Sequence, residues 1–177
     1  MGGKNAQIVL DDADLDLALD GVLWGAFGTT GQRCTATSRL VLQNGIHDTF
    51  VERLVARANA LRLGDGRATG TDVGPLVNDA ARAKVESYVA IGHAQGATLA
   101  CGGARATGGA LDKGFFFQPT IFTGVTAGSR LEQEEIFGPV LSVIRVASVE
   151  EAFTVNNDVR YGLSSSVYTS NVNVAFR

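Results

Sequence analysis

The sequence predicts an α/β protein, a mostly parallel, doubly wound sheet with helices on both faces. Three observations predict it. Short apolar runs alternate along the chain with longer segments whose apolar residues recur at helical spacing. Strands spaced this way pair in parallel, because each parallel return needs a crossover long enough to hold a helix. Runs such as Leu40-Val41-Leu42 are apolar without alternation, as a strand covered on both faces requires. At 177 residues the chain is about one domain's worth and can bury a sizeable core.

Taken in order, Ala6 to Leu10 reads as an apolar strand. Asp11, Asp12 and Asp14 then precede Leu15, Ala18, Leu19, Val22, Leu23 and Ala26 at helical spacing. Carboxylates at a helix start complement its unpaired amides and its dipole, which predicts a helix over 13–27. Gly25, Gly28 and Gly31 loosen its far end. Ser38 to Gln43 is the next strand, and Asn44-Gly45 the turn after it. Phe50, Val51, Leu54, Val55, Ala58 and Leu61 form one face of a surface helix over 48–61. After a Gly- and Asp-rich loop, Asn78 caps a helix that runs through Gln95. Ala97 to Cys101 is a short strand, closed by Gly102-Gly103. Phe115 to Phe122 reads as an aromatic strand, with Pro119 marking an edge or a bulge. Val140 to Val146 is a buried strand. Ser148 with Glu151 forms a capping box ahead of another helix. Ser164 to Thr169 is the last strand, and Asn171 onward begins to look helical.

Composition narrows the partners. A net charge of -3 with no basic stripe argues against nucleic acid and against an anionic membrane. No apolar run is long enough to span a bilayer, and no signal-like amino terminus is visible, so the expected location is cytoplasmic. The two cysteines, Cys34 and Cys101, are read as free thiols. His47 and His93 are isolated and lack metal-ligand spacing.

Two stretches carry chemistry. Gly28-Thr29-Thr30-Gly31-Gln32-Arg33-Cys34-Thr35-Ala36 puts a thiol in a glycine-broken loop between a helix and a strand. Such a loop lets a ligand approach the backbone, and the flanking elements hold the sulfur still. Taken alone, that stretch fits an inert packed cysteine better. Glu134-Glu135-Ile136-Phe137-Gly138-Pro139-Val140 places a carboxylate two residues from an aromatic ring. A carboxylate accepts hydrogen bonds from both hydroxyls of a ribose, and a ring lies against a flat heterocycle. An exposed Glu and a core Phe are the plainer alternative.

Together with Gly2-Gly3-Lys4-Asn5, Gly74-Pro75, Phe117-Gln118-Pro119-Thr120 and Tyr161-Gly162-Leu163, these stretches closely resemble the aldehyde dehydrogenase superfamily. The resemblance covers essentially the whole chain. It implies that Cys34 is the nucleophile that attacks an aldehyde, with hydride passing to NAD or NADP and water releasing the acid from a thioester. It implies that Glu135 holds the nicotinamide ribose and that Phe137 packs near the nicotinamide. The Cys34 amide would form half of an oxyanion hole. Lys84 falls where related enzymes often carry a basic residue near the cofactor, though a solvated helix lysine fits as well. Asn5-Ala6-Gln7, Glu135 through Val146 and Tyr161-Gly162-Leu163 most resemble bacterial members that act on amino-acid- or oxo-acid-derived semialdehydes.

The resemblance further implies that residues 1–177 are a catalytic, cysteine-bearing domain truncated at both ends. The general-base glutamate would fall just before Met1. The amino-terminal cofactor-binding domain and the oligomerisation strand of a dimeric or tetrameric parent would lie outside the chain. No Gly-x-Gly-x-x-Gly fingerprint occurs in it. The chain alone is therefore expected to have little or no activity. A coenzyme A-acylating relative and a non-catalytic folded module are the alternatives.

Overall fold

The computed structural model describes residues 2–177. Six strands form one sheet: β1 (Asn5–Val9), β2 (Thr37–Gln43), β3 (Thr98–Cys101), β4 (Thr120–Thr123), β5 (Val140–Val146) and β6 (Ser165–Tyr168). Their spatial order is β3-β4-β5-β2-β1-β6. All neighbours pair in parallel except β3 with β4. The helices are α1 (Leu15–Phe27), α2 (His47–Asn59), α3 (Asp79–Ala94), α4 (Arg130–Gln133), α5 (Val149–Asn157) and α6 (Val172–Ala175).

The central strands serve two cores at once. Leu40, Leu42, Leu141 and Val143 point to a face covered by α1 and α2, where they meet Leu19, Val22, Phe50 and Leu54. Val41, Val140, Ile144 and Val146 point to the opposite face and meet Val85 and Val89 of α3 and Ala152 and Val155 of α5. Alternation of side chains along a strand is the cause, and it explains why these strands read as unbroken apolar runs. Full burial of a Leu or Phe contributes about 2–3 kcal/mol.

The helix starts follow the sequence. The Asp14 carboxylate accepts from the amides of Asp16 and Leu17 at 3.0 and 3.1 Å. Asn78 accepts from the amide of Ala81 at 2.8 Å, and Ser148 from that of Glu151 at 3.2 Å. The return bond of the expected capping box lands one residue early: the Ala147 amide donates to Glu151 Oε2 at 2.7 Å.

The aromatic stretch is a correction. Only Thr120–Thr123 joins the sheet. Pro119 has no amide hydrogen to give a ladder, so the strand begins just after it. The residues before it make a separate ribbon with 104–106, through Gln118 donating to Ala104 O at 3.0 Å and Ala106 donating to Phe116 O at 3.1 Å. The excursion after Gly103 holds one short 3-10 turn, Gly109–Lys113.

Among the described residues, no helix is long and apolar enough to cross a membrane. The chemistry-bearing segments all enter the sheet at the amino ends of strands. Gly3 and Lys4 lead into β1, Cys34 into β2, Glu135 and Phe137 into β5, and Tyr161 to Leu163 into β6. Open nucleotide-binding sheets use the opposite, carboxyl edge.

Candidate active site

Cys34 is a free, exposed cysteine just ahead of β2. Its loop is fixed through the backbone. Asn5 Nδ2 donates to the carbonyls of Cys34 at 2.7 Å and Ala36 at 2.9 Å, clamping the loop onto the start of β1. Thr30 and Gly31 both take left-handed backbone angles, φ 57° and 65°. For β-branched Thr30 that conformation is costly, and it is held by burial and by its hydroxyl donating to Gly74 O at 3.1 Å. Gly31 has no choice of residue: a Cβ there would overlap the Gly138 carbonyl. Gln32 ties the loop to Val77 N and Pro75 O at 2.9 and 3.2 Å.

The Gly31–Gly138 contact brings the second stretch to the first. Glu135 is half-buried, and its Oε1 accepts the Gly3 amide at 2.9 Å. Oε2 of Glu135 has no protein donor among the described residues. Phe137 is 39% exposed in a left-handed backbone, φ 61°, which turns its ring out of the core that Ile136 enters. The plainer alternative of a core Phe is thus not what the fold builds at this position. The hollow between the two loops is only about 10 Å³, so a flat heterocycle would rest on them and not sink between them. One acceptor oxygen left open and one ring turned outward fit the nicotinamide end of NAD or NADP.

Lys84 stands apart. It is exposed on α3, with its Nζ 6.0 Å from the centre of the Tyr88 ring. It makes no hydrogen bond to Glu135. The link is indirect, through the Tyr88 hydroxyl, which donates to Glu134 Oε2 at 2.8 Å. Arg130 and Tyr88 together hold the Glu134 carboxyl down at about 2. Cys101 lies partly buried on β3, and burial pushes its thiol up, as suits an unreactive cysteine.

Sequence reasoning missed a buried charge cluster behind the site. Arg39 of β2 and Glu132 of α4 are each 1% exposed and paired at 2.7 Å. Arg39 also donates to the carbonyls of Lys4 at 2.9 Å, Val155 at 2.7 Å and Asn156 at 3.0 Å. Lys4 is 1% exposed, and its Nζ has no hydrogen-bond partner among the described residues. Burial, with the Arg39 charge, lowers its amine to about 7 against the pull of Glu132, Glu135 and Glu134. Both residues border a polar cleft of about 300 Å³ beneath Tyr161 and Ser164. A charged residue inside β2, directly ahead of the apolar run Leu40-Val41-Leu42, was the signal available in the sequence.

A family model described as the aldehyde dehydrogenase family matches residues 1–177. The chain belongs to the aldehyde dehydrogenase family. It is 44% identical over 172 residues to an alpha-ketoglutaric semialdehyde dehydrogenase of Bacillus subtilis, covering 97% of this chain and 35% of that protein. It is 45% identical over 177 residues to a betaine aldehyde dehydrogenase of Mesorhizobium japonicum, covering 100% and 36%. A Staphylococcus aureus betaine aldehyde dehydrogenase solved in complex with NAD+ superposes with a TM-score of 0.98 at 41% identity, over 100% of this chain and 35% of that one. The aldehyde dehydrogenase chain described here thus spans about a third of the length of these relatives.

Proposed function

We propose that this chain supplies the nucleophile and the nicotinamide-facing residues for NAD(P)-dependent oxidation of an aldehyde to a carboxylate, within a polypeptide of its relatives' length. The observation that carries the proposal is the clamp of Asn5 and Gly3, which sets an exposed thiol and a half-open carboxylate side by side at one sheet edge. Cys34 Sγ adds to the aldehyde carbon, and the carbonyl electron pair moves onto oxygen. The Cys34 amide donates to no protein acceptor among the described residues, so it is available to that oxygen. The nicotinamide, when bound, supplies the hydride acceptor. Glu135 Oε2 would hold its ribose and Phe137 would lie against its ring, while Lys84 would contribute positive charge farther out. Once the adduct carbon has lost its hydride to that acceptor, the adduct is a thioester on Cys34, and water cleaves it, returning the thiol and releasing the acid. The cytoplasmic location, the domain reading of residues 1–177 and an oligomeric parent form part of the same proposal.

The test uses the full-length enzyme. Cys34→Ser is expected to abolish aldehyde-dependent NADH formation, and Glu135→Gln to slow it by one to two orders of magnitude while Cys34 still labels with iodoacetamide. Full activity in Cys34→Ser would refute the assignment.

A further inference from the structure

We infer that Arg33, stacked on Trp24 beside the nucleophile, selects aldehydes that carry a second, anionic group a few bonds from the reacting carbon. The inference rests on the nucleophile assignment above and adds the substrate's charge. The relatives' names leave that sign open, since betaine aldehyde and alpha-ketoglutaric semialdehyde differ in it.

Arg33 precedes Cys34 directly, and its guanidinium carbon sits 4.2 Å from the centre of the Trp24 ring. Trp24 lies in the last turn of α1 and is 62% exposed. Gly28 lets the indole lie flat there, because a Cβ would meet its Cδ1 at 3.0 Å and its Nε1 at 3.2 Å. Stacking fixes the plane of a guanidinium and leaves its terminal Nη groups free for an acceptor.

The acceptor is what the protein does not provide. Among the described residues, Arg33 forms no ion pair, and its buried Nε meets no hydrogen-bond acceptor. The carboxylates beside Trp24 are already held, Asp20 by Arg57 at 2.5 Å and Asp72 by Arg62 at 3.0 Å. An oriented, uncompensated cation on the residue that precedes the nucleophile attracts a carboxylate or phosphate on the incoming aldehyde and repels a quaternary ammonium.

The experiment compares alkylation of Cys34 by iodoacetate and by neutral iodoacetamide in the 177-residue chain, with added glutathione as the reference thiol and mass-spectrometric readout. The iodoacetate-to-iodoacetamide rate ratio at Cys34 is expected to fall about three- to tenfold in Arg33→Gln, the range for one partly exposed charge at short distance. It should recover in Arg33→Lys, and in the unmodified chain it should drop as KCl is raised from about 20 mM to about 0.5 M, which shortens the Debye length from about 20 Å to about 4 Å. A ratio unmoved by Arg33→Gln and by salt overturns the inference and leaves the nucleophile assignment standing. A Cys34 inert to both reagents overturns that assignment and the inference with it.

Discussion

Replacing Lys4 by methionine should make the protein more stable, by an amount that depends on pH. Lys4 is buried with its amine lowered from 10.5 to about 7. Below pH 7 the amine is protonated in both folded and unfolded chains, and the folded state bears the full cost of a buried charge. Between 7 and 10.5 the unfolded chain binds the extra proton, so stability rises with pH at a little over 1 kcal/mol per unit. Above 10.5 the cost is gone. That window sets a ceiling on the order of 5 kcal/mol, and relaxation around the site reduces what is realised. Methionine keeps the stem's packing and removes the charge. Lys4→Met is therefore expected to gain about 2–4 kcal/mol at pH 6 and progressively less toward pH 9.5. Urea denaturation of both proteins across this range measures it, since other titrating groups cancel in the difference. A difference flat with pH, or a variant less stable at pH 6, would refute the reasoning.

Breaking the buried pair behind the site should be costly: Glu132→Gln or Arg39→Met alone loses about 3–5 kcal/mol in urea unfolding, and the double change Arg39→Met with Glu132→Leu recovers only part of it, since the carbonyls of Lys4, Val155 and Asn156 still lose their donor. Gly31→Ala combines left-handed strain with overlap of the Gly138 carbonyl, so a loss of about 3 kcal/mol is expected, visible as a lower Tm and altered Cys34 labelling. Asn5→Ala removes two bonds to the cysteine loop and should cost about 1–3 kcal/mol, with faster amide exchange over 34–37. The 177-residue chain, mixed with NAD and an aldehyde, is expected to turn over far below the usual enzyme range of about 1–10³ per second. A rate within that range would show that these residues suffice.

Much of the architecture was legible because local and global signals agree. The Asp14, Asn78 and Ser148 caps and the apolar runs of β2 and β5 each encode their element within a few residues. The aromatic strand was read too long because hydrophobicity at Phe115 to Phe117 outweighed the missing donor of Pro119, although both signals were present. The candidate site divides in the same way. Cys34, Glu135 and Phe137 stand in glycine-marked loops that a sequence displays. The bonds of Gly3 and Asn5, the left-handed Thr30 and the Arg39–Glu132 pair depend on segments far apart in the chain. No period or spacing records such contacts.

The placement of every reactive segment at one sheet edge leaves the other edge free. The loops leaving β1, β2 and β5, at Asp11 to Asp14, Asn44-Gly45 and Ala147-Ser148, are mostly exposed and lie a strand's length from the thiol. Asn44-Gly45 is accordingly a natural point for a fluorophore, a surface tether or an inserted peptide, which would report on or immobilise the protein without reaching Cys34.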